Sequence, residues 1–233
     1  IAGFDREMKA QRERARAASQ FGLADTDDLQ LSYVTDFVGY DSLEEESTVM
    51  GIIVDGAQVD QTCADQEALV VLDRTPFYAE SGGQSGDTGQ LIADGVVLNV
   101  TDTVKSADAF LHQGKSVSGS LSVGDKVQSL VNRPLRDATR LNHSATHLMH
   151  AALSKILGDH VKQRGSLVNA ERLRFDFSHF EPVSKEQLRE IERLVNTEIR
   201  GNSAIETEVM GLQSARDKGA VALFGEKYSA EVR

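Results

Sequence analysis

The spacing of apolar positions along this chain changes character twice. Residues 4 to 20 are good helix formers that are polar nearly all round, a pattern suited to a helix that bridges domains rather than builds a core. An acidic stretch follows and reads as a linker or edge segment. From about Leu31 to Asn132 the chain turns to short β-branched and apolar runs separated by hairpin punctuation. Thr48 to Val54 and Gln58 to Thr62 flank Asp55-Gly56, while Gln90 to Ala93 and Val96 to Thr101 flank Asp94-Gly95. Both pairs are signals for type I′ turns. Glu67 to Asp73, Ala109 to His112 and Lys126 to Val131 add further strands with no helical period between them. This half predicts a small antiparallel β-barrel.

Pro134 marks the second change. A helix is expected from Leu135 to Leu157, with Gly158 placed to end it. Strands are predicted at His160 to Val168 and Arg172 to Ser178. Ser184-Lys-Glu-Gln187 then reads as a capping box opening a helix to about Arg200, with Leu188, Ile191, Val195 and Ile199 on its apolar stripe. Ala204 to Met210 predicts another strand and Leu212 to Lys218 a short helix. The fold class is therefore α+β, divided into a linker helix and acidic segment (1–30), a barrel (31–132) and an α+β sandwich with helices laid on one face of a sheet (133–233).

Within the first of these predicted helices, Leu141, Ala145, Leu148, Met149, Ala152, Leu153 and Ile156 gather on one side at 100° per residue. His143, His147 and His150 fall on the other, facing away from the helix's own core stripe. An i, i+4 histidine pair aims two imidazoles at one point, as in helices that donate two ligands to zinc. Three surface histidines without a metal are the competing reading. The residues between the pair are Ser144, Ala145 and Thr146, so the glutamate of a zinc protease is missing and that class is disfavoured. If metal binds, water would have to be activated by the ion itself or by other polar groups such as Thr146 and Gln163, although a mid-helix threonine also commonly bonds back to the preceding turn.

The segment Thr75 to Gly89 contains Gly82, Gly83, Gly86 and Gly89 but neither a Walker lysine nor a dinucleotide fingerprint. It is either a structural turn or a place where backbone N–H groups approach a carbonyl or phosphate. His179 reads as a strand-end residue; His112 and His160 are isolated in sequence and receive no role.

The formal charge of −11 argues against a nonspecific nucleic-acid binder. Its distribution is uneven. Leu23 to Ser47 carries eight acidic residues and no basic one, whereas Val131 to Arg174 has eight basic residues against Asp137, Asp159 and Glu171. An anionic partner can approach the second stretch; a solvated basic face is the simpler alternative. No apolar run reaches membrane-span length, no leader is present and the single cysteine, Cys63, suits a reducing compartment, so a cytoplasmic protein without a membrane partner is expected. The start at Ile1 suggests a piece of a longer protein.

Five ordered motifs cover essentially the whole chain: Thr-Pro-Phe-Tyr-Ala-Glu-Ser-Gly-Gly-Gln, Asn-His-Ser-Ala-Thr-His-Leu, Arg164-Gly-Ser-Leu-Val-Asn169, Leu-Arg-Phe-Asp-Phe-Ser-His and Ala-Leu-Phe-Gly-Glu-Lys-Tyr. Together they resemble the editing region of bacterial alanyl-tRNA synthetase. The resemblance implies a β-barrel followed by an editing domain of the type shared with threonyl-tRNA synthetase and free-standing deacylases. It implies hydrolysis of the ester in Ser-tRNA(Ala) and Gly-tRNA(Ala), while the parent enzyme joins alanine to tRNA(Ala) with ATP; this fragment carries no ATP site. His143 and His147 match two of four zinc ligands. The other two belong to a Cys-Gly-Gly-Thr-His motif that would follow Arg233. Thr146 and Gln163 match positions that handle the mischarged amino acid. Gly82, Gly83 and Gln84 of the loop, with Arg164 and Arg174 of the basic stretch, are expected against the substrate. The expected partners are the tRNA(Ala) acceptor end and the remaining domains of the parent. A noncatalytic tRNA-binding or spacer module is the alternative.

Overall fold

The computed structural model describes residues 31–220 and 229–232. The helix expected at 4 to 20 and the Ala222-to-Tyr228 motif lie outside the described residues. Contacts divide the chain into two compact units, one containing residues up to Glu80 and Gly86–Asn132, the other Ser81–Ser85 and Arg133–Arg233. The short Ser81–Ser85 segment, placed by sequence in the barrel half, thus folds with the second unit.

The first unit is a closed antiparallel barrel. After β1 (Asp36–Phe37) come β2 (Glu44–Val54), β3 (Ala57–Val59), β4 (Glu67–Leu72), β5 (Arg74–Thr75), β6 (Gly89–Ala93), β7 (Val96–Ser106), β8 (Ala109–Ser118) and β9 (Lys126–Val131). The ring runs β2-β4-β8-β7-β6-β9 and back to β2, with β3 appended to β2 and β1 paired in parallel with β5. Closure depends on β2 serving two neighbours: Glu44 to Thr48 pairs with β9, and Val49 to Ile53 with β4. That division removes the open edge that would otherwise expose unpaired backbone groups. Val49, Ile52, Val70, Leu72, Phe77, Leu91, Leu98 and Val127 belong to one buried cluster, while Leu69, Val71, Ile53 and Leu111 form a second, against which Leu31 and Tyr33 pack. Burial on both faces explains why Ala68 to Leu72 is a continuous apolar run rather than an alternating one.

Asp55 and Gly56 both have positive φ, at 50° and 79°, as a type I′ turn requires. The second hairpin differs from the expectation. Only Gly95 (φ 71°) is left-handed there, so Asp94-Gly95 is not a I′ turn. β7 and β8 also run further than predicted, meeting at a hairpin in which Ala107 has φ 50°. No glycine marks that turn, which is why the sequence pattern stops short of it.

The second unit contains α1 (Arg133–Leu157), β10 (Gln163–Val168), β11 (Leu173–Phe177), α2 (Lys185–Gly201), β12 (Met210–Gly211), α3 (Leu212–Asp217) and β13 (Glu231–Val232). Gly158 ends α1 at φ 113°, its N–H bonded to the Ser154 carbonyl. The capping box of α2 forms with both reciprocal bonds, and Asn202 closes the helix in the left-handed region. Ala152, Leu153, Val161 and Ile191 form the core, with Met149, Ile156, Phe175, Phe177, Leu194 and Val195 packed around them. Both helices therefore bury apolar residues with one face of the β10–β11 hairpin. Leu188 and Ile199, expected on the α2 stripe, are exposed. The strand predicted at Ala204 to Met210 shrinks to Met210–Gly211; Ile205 and Val209 alternate as expected but are exposed.

Candidate functional site

The histidine helix departs from its predicted orientation. Leu141, assigned to the core stripe, is 73% exposed, whereas Arg136, Thr139, Thr146 and Leu153 are buried and His143 and His150 partly so. These residues recur at the i, i+3, i+7 spacing of one helix face. The inward face of the first half of α1 is thus polar, and the histidines belong to it or border it. Hydrophobicity alone misplaces the face because polar groups line the surfaces it meets. Asn142 Nδ2 donates to the carbonyls of Asn169 (2.8 Å) and Ala170 (3.4 Å), tying the helix to the β10–β11 turn. One turn beyond His147, the His150 ring sits 5.0 Å from Phe175.

The loop Ser81–Ser85 supplies the opposing wall. Ser81 and Gln84 exchange backbone hydrogen bonds, and both intervening glycines are left-handed, Gly82 at φ 58° and Gly83 at φ 85°. The Gly83 carbonyl accepts from Val168 N–H, and Ser85 N–H donates to Val168 O, so the loop extends the edge of β10. A Cβ on Gly83 would lie 2.5 Å from the Ser166 carbonyl oxygen, so no other residue fits. This packing carries Gln84, 6% exposed, to His143: its Oε1 lies 2.6 Å from His143 Nδ1.

His143 and His147 have ring centroids 5.0 Å apart and planes 15° from parallel. Partial burial, reinforced by the nearby His147, holds the His143 pKa below the ordinary imidazole value. Burial likewise lowers that of His150, opposed by the Val161 carbonyl and aided by the charges of His147 and Lys162. Neutral imidazoles are the form that accepts a proton or binds a metal. The arrangement offers two imidazoles on one helix face, His143 beside a buried amide and a glycine turn.

The other sequence candidates distribute unevenly. Thr146 is buried and its hydroxyl donates to Asn142 O at 2.8 Å, the back-bond that a mid-helix threonine favours; its oxygen lone pairs remain as acceptors. Gln163 opens β10 opposite Phe177, which puts it on the helix-facing side of the hairpin, next to the Lys162 that His150 senses. A bulge follows, and Arg164 within it is exposed. Arg174 belongs to the other face: it alternates with Phe175 and pairs with Asp176 at 3.1 Å. The hairpin geometry therefore separates Arg174 from the histidines. Arg136, counted in the basic surplus, is buried.

Three features had no signal in the sequence. Gln84 and His143 stand 59 positions apart and meet only through the fold. His160 Nε2 and His179 Nδ1 are 2.7 Å apart, joined by the closing of the β10–β11 hairpin. In the barrel, fully buried His112 donates from Nδ1 to Val70 O (2.9 Å) and accepts at Nε2 from the Thr75 hydroxyl (2.7 Å).

A family profile described as tRNA synthetases class II (A) matches residues 1–135. The chain belongs to that family. It is 53% identical over 232 residues to the alanine-tRNA ligase of Pseudomonas entomophila (strain L48), covering 100% of this chain and 26% of that protein. The alanine-tRNA ligases of Pseudomonas syringae pv. tomato and Pseudomonas savastanoi pv. phaseolicola are also 53% identical, over 99% and 100% of this chain respectively and 26% of each relative. The chain thus spans about a quarter of the length of these curated relatives. The profile covers the barrel, whereas the identity to the ligases extends through the histidine helix. Among the described residues, no helix is long and apolar enough to cross a membrane.

Proposed function

We propose that the chain is the barrel and part of the editing domain of an alanyl-tRNA synthetase, and that its second unit hydrolyses the ester linking serine or glycine to the 3′ end of tRNA(Ala). The observation that carries this reading is the His143–His147 pair, held with near-parallel rings beside a buried glutamine. The parent enzyme would join alanine to tRNA(Ala) with ATP in the cytoplasm. In the editing step, water attacks the ester carbonyl and the bond to the ribose oxygen breaks, releasing the amino acid and a free hydroxyl.

The donor set suits zinc in kind and falls short in number. Two imidazoles are present, and no group of three or more His, Cys, Asp or Glu is clustered among the described residues. His143 and His147 would hold the ion together with ligands from the rest of the parent, where its Lewis acidity would polarise the reacting ester. Thr146 presents its oxygen as an acceptor for the serine hydroxyl, since its own proton is committed to Asn142. Gln163 provides a second polar contact from the start of β10, and Gly82 and Gly83 let backbone approach the aminoacyl group. Lys162 and Arg164, both exposed, would meet acceptor-end phosphates.

A second site of this kind answers a limit of binding. Excluding glycine from an alanine pocket is worth only about 1–3 kcal/mol, the value of one methylene, and an apolar pocket rejects an added hydroxyl no better. A site that hydrogen-bonds the hydroxyl spares alanine far more strongly. In the full-length synthetase, Thr146→Val and Gln163→Ala are expected to slow Ser-tRNA(Ala) deacylation at least tenfold with aminoacylation retained. Wild-type deacylation by both variants would refute these roles. Binding of tRNA without any turnover by the unsubstituted enzyme would favour a spacer module.

A further inference from the structure

We propose that Gln84 is a positioning residue that fixes the tautomer of His143, placing its proton on Nδ1 and leaving Nε2 as the free donor. A carboxamide oxygen only accepts, so the 2.6 Å contact from Oε1 requires the proton on Nδ1. The amide cannot readily withdraw. Gln84 is almost fully buried, its backbone exchanges bonds with Ser81, and the neighbouring residues Gly83 and Ser85 are bonded to Val168. The glycine turn, expected to touch substrate, thereby acquires a second role, delivering an acceptor to a histidine on α1.

The chemistry favours an amide over an acid at this position. A carboxylate at the same distance would hold the Nδ1 proton too, but it would also stabilise a second proton on the ring and so compete with use of Nε2. The neutral amide selects one tautomer without adding charge. Ligating histidines commonly have such a partner on the other ring nitrogen, and loss of that partner weakens metal binding about 10- to 100-fold. The consequence for metal binding rests on the reading of His143 and His147 as ligands; the tautomer assignment does not.

The test uses the 233-residue chain with and without Gln84→Leu and Gln84→Glu. Carbon and nitrogen NMR shifts of the His143 ring at pH 8, assigned by loss of the signal in His143→Gln, report the tautomer without any metal. The Nδ1–H form is expected in the wild type and in Gln84→Glu, and a shift toward Nε2–H in Gln84→Leu. An Nε2–H ring in the wild type, or the same tautomer in wild type and Gln84→Leu, would overturn the assignment. Titration with cobalt(II) alone is expected to show affinity at least tenfold weaker in Gln84→Leu. A changed tautomer with unchanged cobalt affinity would uphold the positioning role and count against the histidines as ligands.

Discussion

Acid should destabilise the barrel through one buried ring. His112 is fully enclosed, and burial holds its pKa at about 4, against an unfolded value of 6.5, despite the favourable Val70 carbonyl. Its hydrogen bonds explain why neutrality is enforced. Nδ1–H donates to Val70 O, Nε2 accepts from the Thr75 hydroxyl, and that oxygen in turn accepts from Phe77 N–H. A second ring proton would point at a hydroxyl already oriented as a donor. Because the folded pKa is depressed, the unfolded chain takes up a proton first as pH falls. The stabilisation is therefore complete above about pH 6.5 and is lost progressively toward pH 4. The difference of roughly 2.5 units corresponds to about 3 kcal/mol in full, of which about 2 kcal/mol is lost by pH 5. Denaturant unfolding followed by tyrosine fluorescence suits the assay, since Tyr33, Tyr40 and Tyr78 all belong to the barrel unit. Carboxylates also titrate in this range, so the decisive quantity is the difference from His112→Gln, which cannot titrate there. Equal losses between pH 7.5 and 5 in wild type and variant would refute the argument.

Gly83→Ala should cost at least about 1 kcal/mol, because the residue is left-handed at φ 85° and its new methyl would meet Ser166 O; thermal unfolding measures the cost and the NMR signals of His143 report the displaced loop. Ser184→Ala removes the side-chain acceptor of the α2 capping box and should lose about 1 kcal/mol, seen as earlier melting of helical circular dichroism. Arg174→Ala, on the outer face of the hairpin, should leave Ser-tRNA deacylation by the full-length synthetase within twofold, while Arg164→Ala should raise KM; a large kcat loss in Arg174→Ala would show that the outer face takes part.

What sequence patterning reveals depends on whether a residue's partner is local. The β2–β3 hairpin, the α2 capping box and the glycine stop after α1 are all legible, because each rests on interactions a few residues apart. The barrel is legible as a class from the recurrence of short strands, yet its closure rests on the split pairing of β2, which no local pattern encodes. The Ala204-to-Met210 strand fails for the opposite reason. Its alternation is right, but a strand also needs a surface to pack against, and Ile205 and Val209 stay exposed among the described residues.

The histidine helix joins both lessons. Leu141 and Leu148 do lie across the helix from the histidines, as the periodicity implies, but Leu153 shares the buried face with Thr146, and an apolar side need not be the buried one. Met149 and Ile156 pack with α2, while Leu141 is left outside. Meanwhile His143 and Thr146 turn inward and meet polar partners there: the Gln84 amide for His143 and the helix's own Asn142 carbonyl for Thr146. Burying such a face costs free energy unless each polar group is met. That requirement makes the inward polar stripe a stronger pointer to chemistry than the i, i+4 histidine spacing alone. Surface histidines would need no glutamine pinned behind them, whereas a ring that must present one nitrogen in one state does.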